Sequence, residues 1–176
     1  MNNTWFTSDS HFGHANILEF ESEARPFETL EEMHEVMIER WNSVVRPNDT
    51  VWHLGDFCFG RKNLVIAERL YGKKKLVMGN HDNYDSNEYL KYFDKLYGVT
   101  FWKNCILSHV PVHINQLGSR AFLNVHGHLH SKKVMEGSNI INPFEDRNYM
   151  NVSCEQNNLT PFHADEILLR LKEIQE

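Results

Sequence analysis

Along the first hundred residues, short apolar runs alternate with longer stretches in which apolar side chains recur every three or four positions. Trp5-Phe6-Thr7-Ser8 is aromatic and β-prone, which predicts a strand. Thr29-Leu30-Glu31-Glu32 has the form of a capping box, and Leu30, Met33, Met37, Trp41 and Val44 then follow at helical spacing to about Val45. Arg46-Pro47-Asn48-Asp49 ends that helix, and Thr50 to Leu54 reads as a buried strand. Asn63 to Tyr71 reads as a second helix closed by Gly72, and Lys75 to Met78 as a third strand. Strand, helix, strand, helix, strand is the order of parallel βαβ units, so the first half is expected to be α/β. Beyond it the pattern changes. Gly98–Trp102 and Cys105–Ser108 around Lys103-Asn104 predict a hairpin, and Phe122–His126 and Tyr149–Val152 predict further strands. Ile167, Leu168 and Leu171 give Ala164–Ile174 a helical period.

What makes the pattern chemical is the set of residues that follows each strand. Asp9-Ser10-His11 lies past the first, Gly55-Asp56 past the second and Gly79-Asn80-His81-Asp82 past the third. Ser108-His109 and Gly127-His128-Leu129-His130 close two later ones. In open α/β sheets, loops at the carboxyl ends of strands converge while the sheet holds them rigid. Carboxylate and imidazole donors in this proportion suit zinc, manganese, iron, cobalt or nickel and argue against calcium. About seven such donors are what two ions sharing a carboxylate would need. Singly, each cluster has a plainer reading: Asp56 as a helix cap, Gly79-Asn80 as a tight turn, His128 and His130 as neighbours on one strand face. Their joint occurrence, in order and at strand ends, outweighs those readings.

Composition narrows the setting. The chain of 176 residues, 41% hydrophobic and without repeats, is expected to form one domain spanning 1–176. It opens with no basic segment ahead of an apolar stretch and has no run long enough for a membrane span. Three cysteines with no CxxC spacing fit a reducing, cytoplasmic location better than a disulfide framework. A net charge of -6 disfavours extended nucleic-acid binding, although bound cations can still draw an anionic substrate into one pocket. Five of the eleven histidines fall inside the clusters, and the other six are expected to be structural.

The ordered set Asp-x-His, Gly-Asp, Gly-Asn-His-Asp, a later His and Gly-His-x-His, all between residues 9 and 130, resembles the calcineurin-like metallophosphoesterases. His11-Phe12-Gly13-His14, Arg25-Pro26-Phe27 and Asn151-Val152-Ser153 followed by Pro161 resemble its small bacterial and phage branch. The resemblance implies a four-layer αββα sandwich with a binuclear metal site at the strand ends. It implies that Asp9, His11 and His130 hold one ion, that Asn80, His109 and His128 hold the other, and that Asp56 bridges them. It implies two divalent ions, with manganese as the activating metal and iron, zinc or nickel also accepted. His81 would then act on the ester, with Asp82 orienting its ring. His14 and Arg25 are candidate contacts to the substrate phosphate.

The reaction this implies is hydrolysis of a small, nucleotide-like phosphate ester or phosphodiester by a metal-bridging hydroxide. A nuclease or nucleic-acid end-processing phosphodiesterase is the alternative, though it would more comfortably show a basic groove with stacking aromatics. A non-catalytic scaffold of the same fold is the third reading, opposed by the intact ligand set. A β-lactamase-like hydrolase would need a His-x-His-x-Asp-His cluster, which the sequence lacks. Residues 132–147 match no motif.

Overall fold

The computed structural model describes residues 2–136 and 144–176. Its first half runs β1 (Thr4–Thr7), α1 (Ile17–Phe20), α2 (Leu30–Val44), β2 (Thr50–His53), a 3-10 segment (Arg61–Arg69), β3 (Lys73–Val77), α3 (Ser86–Tyr89) and β4 (Lys95–Tyr97). The four strands lie side by side in sequence order and all run parallel. Right-handed crossovers that step repeatedly in one direction leave every connection on the same face of a sheet. Met33, Met37 and Trp41 of α2, with Leu64 and Ala67 of the 3-10 segment, accordingly share one core with Val51 and Leu76. Because side chains alternate along a strand, Trp52 and Val77 point to the opposite face, where Phe6 joins them.

That second face is covered by another sheet. The chain continues through β5 (Val99–Trp102), β6 (Cys105–Ser108), β7 (Leu123–His126), β8 (Met135–Glu136), β9 (Phe144–Glu145), β10 (Tyr149–Asn151), β11 (Phe162–His163) and α4 (Ala164–Gln175). β5 and β6 form the expected antiparallel hairpin, and the sheet order is β10-β7-β6-β5 with the remaining pairs parallel. Cys105, Leu107, Leu123 and Val125 meet Phe6, Trp52 and Val77 between the sheets, and α4 adds Ile167 and Leu171 to that core. Fully burying a phenylalanine such as Phe6 contributes roughly 1.5–3 kcal/mol. β11 pairs antiparallel with β1 at the edge of the first sheet. On the outer face of the second sheet, the buried Asn124 side chain accepts from Val112 N at 2.9 Å and donates to Ser108 Oγ at 2.9 Å. Tyr149 Oη donates to Val112 O at 2.8 Å, so the segment after β6 is pinned across that face.

The α/β class follows the sequence pattern and the facing sheets follow what the resemblance implies, with one change of element type. Where a helix is expected over Asn63–Tyr71, the chain forms a 3-10 segment over Arg61–Arg69 with Leu70 already extended. Its buried residues explain the difference: Leu64, Ala67 and Leu70 recur at intervals of three, which a three-residue turn stacks on one side. Of the unassigned stretch 132–147, residues 137–143 lie outside the described residues, and β8 and β9 form a small ladder flanking them. Among the described residues, no helix is long and apolar enough to cross a membrane.

Candidate metal centre

Past β1 and β2 the backbones remain paired beyond the sheet: Asp9 N donates to Gly55 O at 2.9 Å, His11 N to Asp56 O at 3.1 Å and Phe12 N to Phe57 O at 3.1 Å. The loops after β6 and β7 do the same, through Gly127 N to His109 O at 2.9 Å. To run in register and still turn their side chains inward, these loops use the left-handed backbone region. Asp9, His11, Asp56, His128 and His130 have φ of 57°, 48°, 56°, 69° and 50°. A non-glycine residue held there costs of order 1–3 kcal/mol, and such strain persists where surrounding structure over-determines it. Five of the seven ligands expected from the sequence share this conformation.

The side chains meet at two adjoining points. Asp9 Oδ1 lies 3.8 Å from His11 Nε2 and 3.9 Å from His130 Nε2. Asp56 Oδ2 lies 3.7 Å from His11 Nε2 and 3.3 Å from His109 Nε2, between the two groups. Asn80 Oδ1 is 2.9 Å from His109 Nε2, and the His128 ring stands edge-on to His109 with centroids 5.1 Å apart. The donor atoms of Asp9, His11 and His130 lie within 4.8 Å of one another, as do those of Asp9, Asp56 and His109, so Asp9 belongs to both groups. Two glycines permit the approach. A Cβ on Gly79 would run into the Asp56 carboxylate, and one on Gly127 into Ser8 and the Asp9 carboxylate.

Burial dominates the electrostatics. It pushes the Asp9 carboxyl up, against His109 and His130, which favour its charged form. Burial would raise Asp56 as well, but the hydrogen bond and charge of His109 hold it down at about 2. Burial drives His11 down to about 2 although Asp56 pulls the other way. For His109 and His130 burial acts downward and loses, to the bond with Asp56 in one case and with Glu155 in the other, so both are raised. Asp9 Oδ1 and both ring nitrogens of His11 are buried without a hydrogen-bond partner. Unpartnered buried polar atoms are costly and call for a ligand. Borderline divalent ions bind imidazole and carboxylate at about 2.0–2.2 Å, so donors grouped within a few ångströms, with orphaned atoms among them, fit such ions.

The surroundings hold the rings in place. His109 Nδ1 faces Leu54 O at 2.8 Å and His130 Nδ1 faces Glu155 Oε1 at 2.9 Å, which leaves each Nε2 turned inward. Asp9 Oδ2 accepts from His128 N at 2.9 Å and from Ser153 Oγ at 2.8 Å. His81 lies at the rim, its side chain 46% exposed and its Nε2 4.0 Å from Asp56 Oδ2. His14 also sits at the rim, stacked on Phe59 with centroids 4.1 Å apart.

Two expectations need correction. Asp82 does not orient the His81 ring. Its carboxylate instead accepts from Asp56 N at 2.7 Å, Gly79 N at 2.9 Å and Phe57 N at 3.1 Å, because three main-chain donors at the ends of β2 and β3 outbid one exposed imidazole. Arg25 is no substrate contact. It is fully buried, donates to Asp9 O at 2.6 Å and Ser10 O at 3.1 Å, and pairs with Glu155 Oε1 at 2.6 Å. The sequence reading missed Glu155, which no spacing marks, and Phe59, an isolated aromatic in a loop. Of the histidines expected to be structural, His53 bonds Ser10 Oγ at 2.7 Å, His126 bonds Gly127 O at 2.8 Å, and His34 accepts from Gly13 N at 2.9 Å. His113 and His163 cap helical segments.

A protein of Methanocaldococcus jannaschii, described as uncharacterised, is 33% identical over 172 residues, which is 96% of this chain and 90% of its own length. The Gene 66 protein of Mycobacterium phage L5 is 42% identical over 88 residues, 47% of this chain and 41% of its own. The crystal structure of a protein of unknown function from Aquifex aeolicus superposes with a TM-score of 0.72 at 31% identity, covering 96% of this chain and 99% of that one. Residues 3–171 match the family model for calcineurin-like phosphoesterases, a span that takes in every strand-end cluster described above. The chain therefore belongs to the calcineurin-like phosphoesterase family.

Proposed function

We propose that the protein is a binuclear metal-dependent hydrolase of a small, nucleotide-like phosphate ester or phosphodiester. The observation that carries this reading is the gathering of Asp9, His11, Asp56, His109 and His130 into two adjoining donor groups that share Asp9, in which Asp9 Oδ1 and both His11 ring nitrogens are buried without partners. Left-handed backbone strain, as at Asp9, His11 and Asp56, clusters at ligand-binding centres, and here it coincides with buried atoms that a ligand would satisfy. Asp9, His11 and His130 would hold one ion and Asn80, His109 and His128 the other, with Asp56 between them. When bound, the two ions would supply a water of lowered pKa and screen the charge of the phosphate.

The chain's own part is to fix and aim. Asp56 Oδ1 accepts from His81 N at 2.9 Å, tying the rim residue to the carboxylate at the centre. The His81 ring, outside both donor groups and partly exposed at the rim, would hydrogen-bond the ester and protonate the departing oxygen as a general acid. Manganese is the activating ion we expect. The buried, unpaired Cys58, Cys105 and Cys154 support a reducing, cytoplasmic setting. Chelated protein reloaded with manganese should hydrolyse p-nitrophenyl phosphate or its bis ester. If neither is turned over with manganese, iron, zinc or nickel, the reading fails. Failure to take up any metal would favour a scaffold instead.

A further inference from the structure

Among the described residues, a file of phenylalanine and histidine rings leads outward from one side of the centre. Phe59 stands among three imidazoles, with centroids 4.8 Å from His81, 5.5 Å from His11 and 4.1 Å from His14, the last in a stacked arrangement. His14 in turn meets Phe20 edge-on at 6.0 Å. Phe20 ends α1 and is 66% exposed. A single exposed phenylalanine is ordinary, but this one is the outermost member of a continuous file of rings that starts at His81. Beyond it lies a groove of about 300 Å³, lined by Phe20, Glu21, Ser22, Glu23, Ser131 and Lys132. That is the low end of the size range for small-molecule sites. A hydrogen bond from Ser131 to Glu21 ties the groove's two walls together, and Ser131 directly follows His130.

The opposite flank is of another character. There a cavity of about 320 Å³ opens beside Asn80 and His109, and its lining includes Met78, Val99, Val110 and Val112. Its apolar side chains are aliphatic, and the ring among its lining residues is the His109 imidazole of the metal centre itself. We propose that the file Phe59, His14 and Phe20 is a stacking wall for the base of a nucleoside phosphate whose phosphate lies at the metal centre. This rests on the phosphoesterase reading above and names the substrate class for the same site. Bases stack on aromatic rings irrespective of their sequence identity, and the hydroxyl, ammonium and carboxylate groups around the groove suit the polar edge of one base. Glu21 and Glu23 line the groove beside Phe20, and their charge would repel the further phosphates of a strand running through it, so a single nucleoside is favoured over a polynucleotide.

Calorimetry on the manganese-loaded protein, comparing the non-hydrolysable phosphonate analogues of adenosine 5′-phosphate and ribose 5-phosphate, isolates the base from the phosphate. The expected result is binding of the nucleotide roughly tenfold tighter, within the range measured for one base on an aromatic ring. Phe20→Ala should bring the ratio of the two dissociation constants to about one, and Phe20→Tyr should keep it. Val99→Ala, on the aliphatic flank, should not change the ratio. Equal affinities in the parent protein, or a ratio that survives Phe20→Ala, would overturn the stacking wall. A trinucleotide bound more than about tenfold tighter than the mononucleotide would overturn the restriction to one nucleoside. Equal affinities in a preparation that hydrolyses p-nitrophenyl phosphate sink this inference alone. A preparation that neither takes up metal nor binds either analogue sinks the phosphoesterase reading with it.

Discussion

Around His130 the outer support of the centre is made of charged side chains, whereas around His109 it is made of main chain. His130 Nδ1 rests on Glu155, Glu155 is paired with Arg25, and Arg25 donates to the carbonyls of Asp9 and Ser10, with the Arg25 and Glu155 side chains fully out of solvent. His109 Nδ1 rests on the carbonyl of Leu54, the residue that follows β2. The first half is thus a buried ion pair spanning 130 positions of sequence, and the second is a consequence of strand register. Breaking a buried pair by removing one partner typically costs 3–5 kcal/mol, because the other charge is stranded. A backbone carbonyl cannot be removed by substitution. The contrast implies that the two halves should respond differently to mutation, and that only residues shared by both should abolish the centre at once.

Asp56 is the strongest such test. Its Oδ2 lies near both His11 and His109, so Asp56→Ala should release both ions together and lower turnover beyond about 10⁴-fold, more than losing a proton-transfer group alone. Metal analysis that still finds one equivalent would show the halves to be independent of it. His81→Ala is the next largest. Turnover should fall about 10²–10⁴-fold with both ions retained, and the loss should be greater for an alkyl ester than for p-nitrophenyl phosphate, whose leaving oxygen needs no proton. Loss of metal in that variant would remove the distinction between rim and centre.

The features legible in the sequence were those with a local signature. α2 begins where Thr29 Oγ1 accepts from Glu32 N at 3.1 Å, as the cap pattern predicts, and ends one residue from the expected position. The residues that converge follow β1, β2, β3, β6 and β7 because a strand's end is marked by the stop of an apolar run. What escaped has no local signature. The 3-10 geometry of Arg61–Arg69 turns on a period of three that a short segment hardly separates from 3.6. β11 has two residues, too few to show alternation. Arg25, Glu155 and Asp82 escaped for a deeper reason: periodicity says which way an apolar side chain faces, whereas a polar side chain goes to whichever donors the tertiary structure leaves open. Three free N–H groups drew Asp82 inward, and the carbonyls of Asp9 and Ser10 drew Arg25.

Glu155→Gln sharpens the comparison between the halves. The amide keeps the shape but loses the charge that supports His130 and neutralises Arg25. Affinity for the ion at Asp9, His11 and His130 should fall about 10–100-fold, the range for outer partners of metal-binding histidines, while the ion at His109 is retained. Titration with limiting manganese should then show two separated binding steps. If both steps weaken equally, the supports are not separate and the contrast drawn above fails.

Asp82→Asn should have the smallest effect, and it tests the corrected role of that residue. Oδ2 accepts from both Asp56 N and Gly79 N while Oδ1 accepts from Phe57 N, so an amide must turn its NH2 against at least one main-chain donor. Leaving a buried donor unsatisfied costs about 1–3 kcal/mol. For a chain of this size each kcal/mol is worth about 2–4 °C in Tm, which calorimetry resolves. Because Asp82 ties the Asp56 loop to the Gly79 turn and touches no donor atom of either ion group, both metal affinities should soften together and slightly. A residue that oriented the His81 ring would behave otherwise. It would leave Tm nearly unchanged and would slow alkyl esters more than p-nitrophenyl phosphate, repeating the His81→Ala signature at lower amplitude. Finding that signature would return Asp82 to the ring and undo the assignment of its carboxylate to the main chain.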